Sequence, residues 1–372
     1  MGISNMEVKK QNKINVLKYM LKADAVPIKA AAMALNLSVP TVTQCLNELA
    51  MLGLMEECGA LDSQGGRKAM SYQAMKDAKL AIGIDLTTNH VNIVIINLSK
   101  EVRYNVRLRF HLKNDENSFQ ELRSIIEEEI KKSGIEEEKI LGIGCSLPAI
   151  IDESGTKILG REEDFDISYD FYEKISKWFS CPVVLGNDAT CAALSEVEMQ
   201  DIDTFIYYMV SQTVGGAIIL SGKPFRGISQ RAGEFGHITM IKDGKECYCG
   251  RKGCVNGYCS IKQLSDMADG KIEDFFKKVE KKELQFVAAW EEYLDYLALS
   301  IHDIMMVMDA DIIIGGYISK YIGPYMEYLK GKITAIDGYL SEYPFIRQSK
   351  LGYEAAAIGT ASLFVNDYID HM

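Results

Sequence analysis

The stretch Gly233-Glu234-Phe235-Gly236-His237, followed after nine residues by Cys247-x-Cys249-Gly250-x-x-Gly253-Cys254, decides how the rest of the chain is read. Three cysteines and a histidine fall within eighteen positions. A tetrahedral zinc takes four soft or borderline ligands, and Cys3His is a common structural set. The glycines at 250 and 253 let the backbone turn tightly enough for the sulfurs to converge. His237, Cys247, Cys249 and Cys254 are therefore expected to hold one structural zinc. Three buried thiols beside an unrelated histidine form the competing reading, and the spacing favours the metal. Cys259, beyond the motif, reads as a packing residue. Glu234 and His237 lie three residues apart and share a face of a helical turn. A metal that fixes His237 thus also fixes where Glu234 points, as in a site supported from behind its binding face.

The chain has 372 residues, 48% apolar and 25% charged, enough for two or three domains with full cores. No apolar run approaches a bilayer span, and Met1 to Lys13 lacks the apolar stretch of a signal peptide. Nine cysteines, an odd number, suit a reducing compartment, and a cytoplasmic location with no membrane partner is expected. The net charge of −11 argues against nucleic-acid binding over the whole surface. It is unevenly spread: residues 1–80 carry ten Lys/Arg against seven Asp/Glu, leaving −14 for the remainder. A mildly basic head on an acidic body suggests two tasks in one chain.

Residues 7–60 read as three helices. Ile14, Leu17 and Leu21 recur at helical spacing, and Pro27-Ile28 opens a short second helix that ends near Leu35. Ser38 caps the third helix, with Pro40 in its first turn. Val42, Cys45, Leu46 and Leu49 make its apolar face; Thr41, Thr43, Gln44 and Asn47 make a polar one able to reach base edges. A two-stranded wing follows, with Asp62 to Gly66 at its tip and Arg67 and Lys68 placed to meet phosphates. The pattern is a winged helix-turn-helix over residues 1–78, with Thr41, Thr43, Gln44, Asn47, Arg67 and Lys68 as candidate DNA contacts. A three-helix dimerisation module is the alternative.

Residues 79–372 read as an α/β body. Ala81 to Leu86, Val91 to Asn97 and Val102 to Arg109 form a meander, Ser118 to Ser133 an amphipathic helix, and Ile140 to Ser146 a strand broken by Pro148. Val183-Val184-Leu185 leads into Gly186-Asn187-Asp188 and a helix. A carboxylate where a strand gives way to a helix points into a crevice of the kind that binds ligands. Strands at 205–210 and 215–220, helices over 261–308, Ile312 to Gly316 and a terminal helix complete a second, similar half. One lobe is expected at about 79–186 plus the helix 353–368, and the other at about 187–352.

These residues resemble the ROK family of repressors, open reading frames and kinases. Glu234-x-Gly236-His237 with Cys247-x-Cys249-Gly250-x-x-Gly253-Cys254 matches its signature, and Asn187-Asp188-Ala189 matches a second element. The resemblance covers nearly the whole chain, and the helical head marks the repressor branch. It implies a two-lobed, actin-like and sugar-kinase-like fold of the ribonuclease H-like type. It also implies that Asn187, Asp188, Glu234 and His237 bind sugar hydroxyls, and in kinase members position 188 is the base that takes the proton from the attacking hydroxyl. Capping of the following helix is the other role open to Asp188.

Several positions depart from the family pattern. Kinases carry Asp-x-Gly-Gly-Thr after the first strand; here the run is Asp85-Leu86-Thr87-Thr88-Asn89-His90. Side chains at each position hinder a backbone cradle for phosphate. Gln212 to Ala217 is shorter and less glycine-rich than the kinase loop, though Gly315-Gly316 is kept. Asn256 stands where a sugar-binding Glu is common, and Pro148-Ala149 where Pro-Gly is common. The expectation is a sugar-responsive transcriptional regulator, a repressor of carbohydrate uptake or catabolism genes. It would bind operator DNA as a homodimer or homotetramer, take a small sugar or sugar phosphate through Asn187, Asp188, Glu234, His237 and Asn256, and need zinc but not ATP. The alternative is an ATP-dependent sugar kinase with a DNA-binding head, in which Asp188 is catalytic. A zinc sensor is a weaker third reading, because a closed Cys3His site holds its metal as part of folding.

Overall fold

The computed structural model describes residues 5–60, 70–161, 165–337 and 345–372. Three helices come first, Asn5–Met20, Ile28–Ala34 and Val39–Met51. Ser38 caps the third: its Oγ accepts from Thr41 N at 3.2 Å, and Pro40 sits in the first turn. Val42, Cys45, Leu46 and Leu49 are buried as their spacing predicts. The strands Met55–Ala60 and Met70–Ala74 pair antiparallel. A third strand, Val26–Pro27, pairs with Met70–Ala74 and has no sequence signal, because two residues carry no alternation. The tip expected at Asp62 to Gly66, with Arg67 and Lys68, lies outside the described residues.

Among the described residues, the body has two five-stranded sheets with one plan. In the first, the order is Val102–Arg109, His90–Asn97, Leu80–Leu86, Ile140–Leu147, Val183–Asn187. The first three strands run antiparallel and the last two join parallel. The second repeats the same order and senses with Lys223–Phe225, Val214–Leu220, Phe205–Val210, Asp311–Gly315 and Ile346–Gln348. The central strand Leu80–Leu86 is buried at every position, which is why it reads as a continuous apolar run.

Two helices, Asp188–Met199 and Ala355–Asp370, lie between the sheets. They touch at close range: a Cβ on Gly359 would overlap Cys191 O, and one on Gly83 would overlap Ala357 O. The sequence assigns 188–199 to the second lobe; in the fold this helix packs on the terminal helix and on the second sheet alike. The terminal helix begins two residues later than expected, because Gly352 N donates to Glu354 Oε1 and holds a turn ahead of it. A hairpin, Ala149–Ile151 with Ile158–Arg161, follows Pro148 and was not expected. Its turn is tied by Asp152, whose Oδ1 accepts from Thr156 N and Lys157 N, each at 2.8 Å.

The head packs directly on the body, and the short connection Met75 to Lys79 runs between them. Ala81, Val94, Ile96 and Leu98 share one apolar cluster with Leu17, Leu46 and Leu49. Ser99 Oγ donates to Leu21 O at 2.9 Å, and Lys18 Nζ pairs with Asp370 Oδ1 at 2.7 Å. Among the described residues no helix is long and apolar enough to cross a membrane.

Candidate functional site

Asn187 ends a strand of the first sheet and caps the helix that follows. Its Oδ1 accepts from Thr190 N at 2.9 Å and Thr190 Oγ1 at 3.0 Å. Its Nδ2 donates to Ala149 O and to Asp188 Oδ1, both at 3.2 Å. Both donors and the acceptor of Asn187 thus have protein partners. Asp188 is the first residue of the helix and not its cap, and Asp188 Oδ1 also takes Ala189 N at 2.8 Å. The capping of this helix falls to Asn187, and Asp188 stands at the first helical position.

Across the gap, Gly233 to His237 forms a tight turn pressed against the strand Val214–Leu220. A Cβ on Gly233 would overlap Gly216 O, and one on Gly236 would overlap Val214 O. Gly233 also adopts φ +95°, which side-chain-bearing residues rarely reach. The two glycines therefore seat Glu234 and His237 facing Asp188. Asn187, Asp188, Glu234 and His237 all line one cavity of about 920 Å³, with Pro148, Ala149 and Thr213 to Gly216. Burial pushes the Glu234 carboxyl above its ordinary range, with Arg231 pulling it back. Burial lowers the His237 imidazole, and Arg251 adds to that.

The His237, Cys247, Cys249 and Cys254 ligand atoms lie within 4.8 Å of one another. Cys249 Sγ and Cys254 Sγ are 3.8 Å apart, and Cys247 Sγ is 3.9 Å from His237 Nδ1. Zn–S bonds of about 2.3 Å place two tetrahedral sulfurs ~3.8 Å apart, so donor set and spacing fit that ion. Burial raises the Cys247 thiol to about 12. It also raises Cys249, but hydrogen bonds from Arg251 outweigh it and bring that thiol to about 7. The ring of His237 is divided: Nδ1 faces the sulfurs, while Nε2 lies 3.1 Å from Tyr248 OH and 3.9 Å from Glu234 Oε2. Cys259 is fully buried away from this group, as the reading of it as a packing residue has it.

Asn256 does not line the cavity. It is buried behind the Gly236 turn, and its Oδ1 accepts from Val214 N at 2.6 Å. Its place is that of a pin between the helix after Cys254 and the loop before the strand 214–220. The sequence also missed Arg161, Arg231, Arg251 and Tyr248 on the cavity wall. Arg251 and Tyr248 lie inside the cysteine motif and could have been marked from it. Arg161 comes from the unexpected hairpin and had no signal.

Several amides of the turn 87–90 and of the loop 211–214 have partners within the protein. Thr87 N donates to His90 O at 3.0 Å, and His90 N to Thr87 Oγ1 at 3.1 Å. Ser211 N donates to Thr213 O at 2.9 Å, and Val214 N to Asn256. Gly315 is required by packing, since a Cβ there would overlap the Tyr207 phenol, and Gly316 takes φ +78° in a turn.

In the head, Gln44 and Asn47 are exposed and Thr41 and Thr43 half-buried. Thr43 Oγ1 donates to Val39 O at 2.9 Å, and Gln44 Nε2 to Glu48 Oε1 at 3.1 Å.

The sequence model of the ROK family matches residues 81–367. A putative xylose repressor of Caldicellulosiruptor sp. (strain Rt8B.4) is 25% identical over 392 residues, covering 97% of each chain. An N-acetylmannosamine kinase of Haemophilus influenzae (strain PittEE) is 28% identical over 228 residues, but covers 57% of this chain and 71% of its own. The crystal structure of a ROK family transcriptional regulator, a homologue of the E. coli MLC protein, superposes with a TM-score of 0.76 at 20% identity, over 98% of this chain and 97% of that one. With Asn187, Asp188, Glu234 and His237 on one cavity and the family pattern running from 81 to 367, well over half the chain, this protein belongs to the ROK family.

Proposed function

We propose that the chain is a sugar-responsive, DNA-binding transcriptional regulator that represses genes of carbohydrate uptake or catabolism. The observation that carries this reading is the pairing of a polar cavity with a helical head packed directly on the lobe that forms one of its walls. The likeness to xylose repressors over the full length, head included, supports it, whereas the kinase likeness covers 57% of the chain.

The head acts as a winged helix-turn-helix. Val39–Met51 enters the major groove, with Asn47 and Gln44 reaching base edges, and a homodimer presents two such helices to a pseudo-palindrome. Asp188 and Glu234 accept from vicinal hydroxyls of a sugar or sugar phosphate. His237 donates from Nε2, because the proton sits there once Nδ1 is a ligand. His237, Cys247, Cys249 and Cys254 hold zinc, which supplies a structural cross-link between the Gly236 turn and the cysteine loop. Asn187 and Asn256 position the site. Sugar bound between the lobes favours one lobe arrangement, and the head, fused to the first lobe, follows it.

The test is operator binding by the whole chain with and without xylose, glucose, N-acetylglucosamine and their phosphates. At least one should change DNA affinity tenfold or more; no change with any of them overturns the sensing role.

A sugar kinase is the second reading, favoured by Asp188 lining the cavity. Against it stand the amides of Thr87 and His90, which already have partners, and the packing reason for Gly315. An ADP-release assay with the same sugars decides: turnover that Asp188→Asn abolishes would make the chain an enzyme.

A further inference from the structure

We propose that Arg107, Tyr317, Lys320 and Tyr353 form a latch that holds the two lobes together beside the Gly315-Gly316 turn. Arg107 projects from the strand Val102–Arg109 of the first sheet. Its guanidinium carbon lies 4.9 Å from the centre of the Tyr353 ring and 5.8 Å from that of Tyr317. Tyr317 belongs to the second lobe and directly follows Gly315-Gly316; Tyr353 lies in the crossing segment before the terminal helix. Lys320, also from the second lobe, places Nζ 4.6 Å from the Tyr317 ring and 5.4 Å from that of Tyr353. Two cations from opposite lobes therefore share the same two aromatic rings.

The rings are held from both ends. Tyr317 OH donates to Glu273 Oε1 at 2.7 Å, and Tyr317 N donates to Ser211 Oγ at 3.2 Å. Tyr353 O accepts from Asn92 Nδ2 at 3.1 Å, and the same amide donates to Asp85 Oδ2 at 3.2 Å. The chain of contacts thus runs from the floor of the first sheet, through the crossing segment, to the helices of the second lobe. A hinge motion that opens the lobes on this side must pull Arg107 off Tyr317, and cation–π attraction opposes it. The inference rests on the two-lobed fold and on these contacts, and holds whether or not the head binds an operator.

Amide hydrogen exchange of the whole chain, read by mass spectrometry, tests it with R107A, Y317L and the double variant. Each single variant should speed exchange in the segments 86–90 and 316–322 by about 3- to 10-fold, through more frequent opening. The double variant should fall short of the product of the two single effects, because both lose the Arg107–Tyr317 contact. R107K, which keeps the cation, should retain most of the protection. Unchanged exchange in both segments overturns the latch. So do single-variant effects that multiply, since each side chain would then be acting within its own lobe.

Discussion

Glu234 Oε2 lies 3.9 Å from His237 Nε2, while the other nitrogen of that ring faces Cys247 Sγ at 3.9 Å. One imidazole therefore joins the cysteine cluster to the cavity, and whatever fixes its sulfur side orients its cavity side. The purified protein should carry one zinc per chain. Cys254→Ser should lose it, lower the melting temperature and weaken sugar binding at least about tenfold, although Cys254 is not on the cavity wall. Metal content by mass spectrometry and sugar titration by calorimetry check this; a zinc-free variant with unaltered sugar affinity sinks it.

Asn187 and Asp188 are neighbours with separable tasks. Asn187→Ala removes the cap oxygen from Thr190 and should cost about 1 kcal/mol of stability. Asp188→Asn keeps the cap and should leave the melting temperature nearly unchanged, yet weaken sugar binding by about 10- to 100-fold through loss of a charged acceptor. Thermal unfolding and calorimetry of the two variants check the split. Equal stability losses in both would mean that Asp188 is a structural residue.

Much of this site was legible because its signals are local. Two glycines, a histidine and three cysteines at fixed spacing announce a turn and a metal clip, and Asp188 announces itself at a strand end. The two-lobe plan was legible from the repeated order of strands then helix, and the strand Leu80–Leu86 from a run that is buried at every position. Other features depend on distant partners. Nothing near Asn256 says that its amide oxygen accepts from Val214, 42 positions away. Arg161 reaches the cavity on a hairpin whose strands are three and four residues long, too short for a period to register. Asn187 looked like a ligand residue, and only the hydrogen bonds to Thr190 and Ala149 show how fully it is engaged.

Asp85 gives the stability an unusual pH dependence. Burial pushes its carboxyl up to about 6, against the hydrogen bonds from Ser146 and Asn92 and the charge of Arg107. Below about pH 4 the group is protonated whether the chain is folded or not, and contributes nothing. Between about 4 and 6 the unfolded chain gives up the proton while the folded one keeps it, so stability falls as pH rises. Above about 6 the loss is complete, on the order of 2–3 kcal/mol. Asp85→Asn should therefore gain on the wild type as pH is raised from 4 to 7 and hold its lead beyond. Urea unfolding of both proteins at pH 4.5, 6 and 7.5 checks the sign; a gap that is constant with pH contradicts it.

The third helix, Val39–Met51, offers side chains that differ in what they already hold. Thr43 Oγ1 donates to Val39 O within the helix, so its hydroxyl proton is engaged before any DNA arrives. Asn47 is exposed one turn further on, with an amide able to pair two atoms of one adenine edge. Asn47→Ala should cost about 1–3 kcal/mol of operator affinity and relax specificity at one base pair, while Thr43→Val should cost less than half of that. Both variants bury the same apolar face, so neither should alter folding. Gel-shift titrations on the operator and on single-base variants check the difference. If Asn47→Ala weakens binding equally on every sequence, Asn47 meets the phosphate backbone and a different residue reads the base.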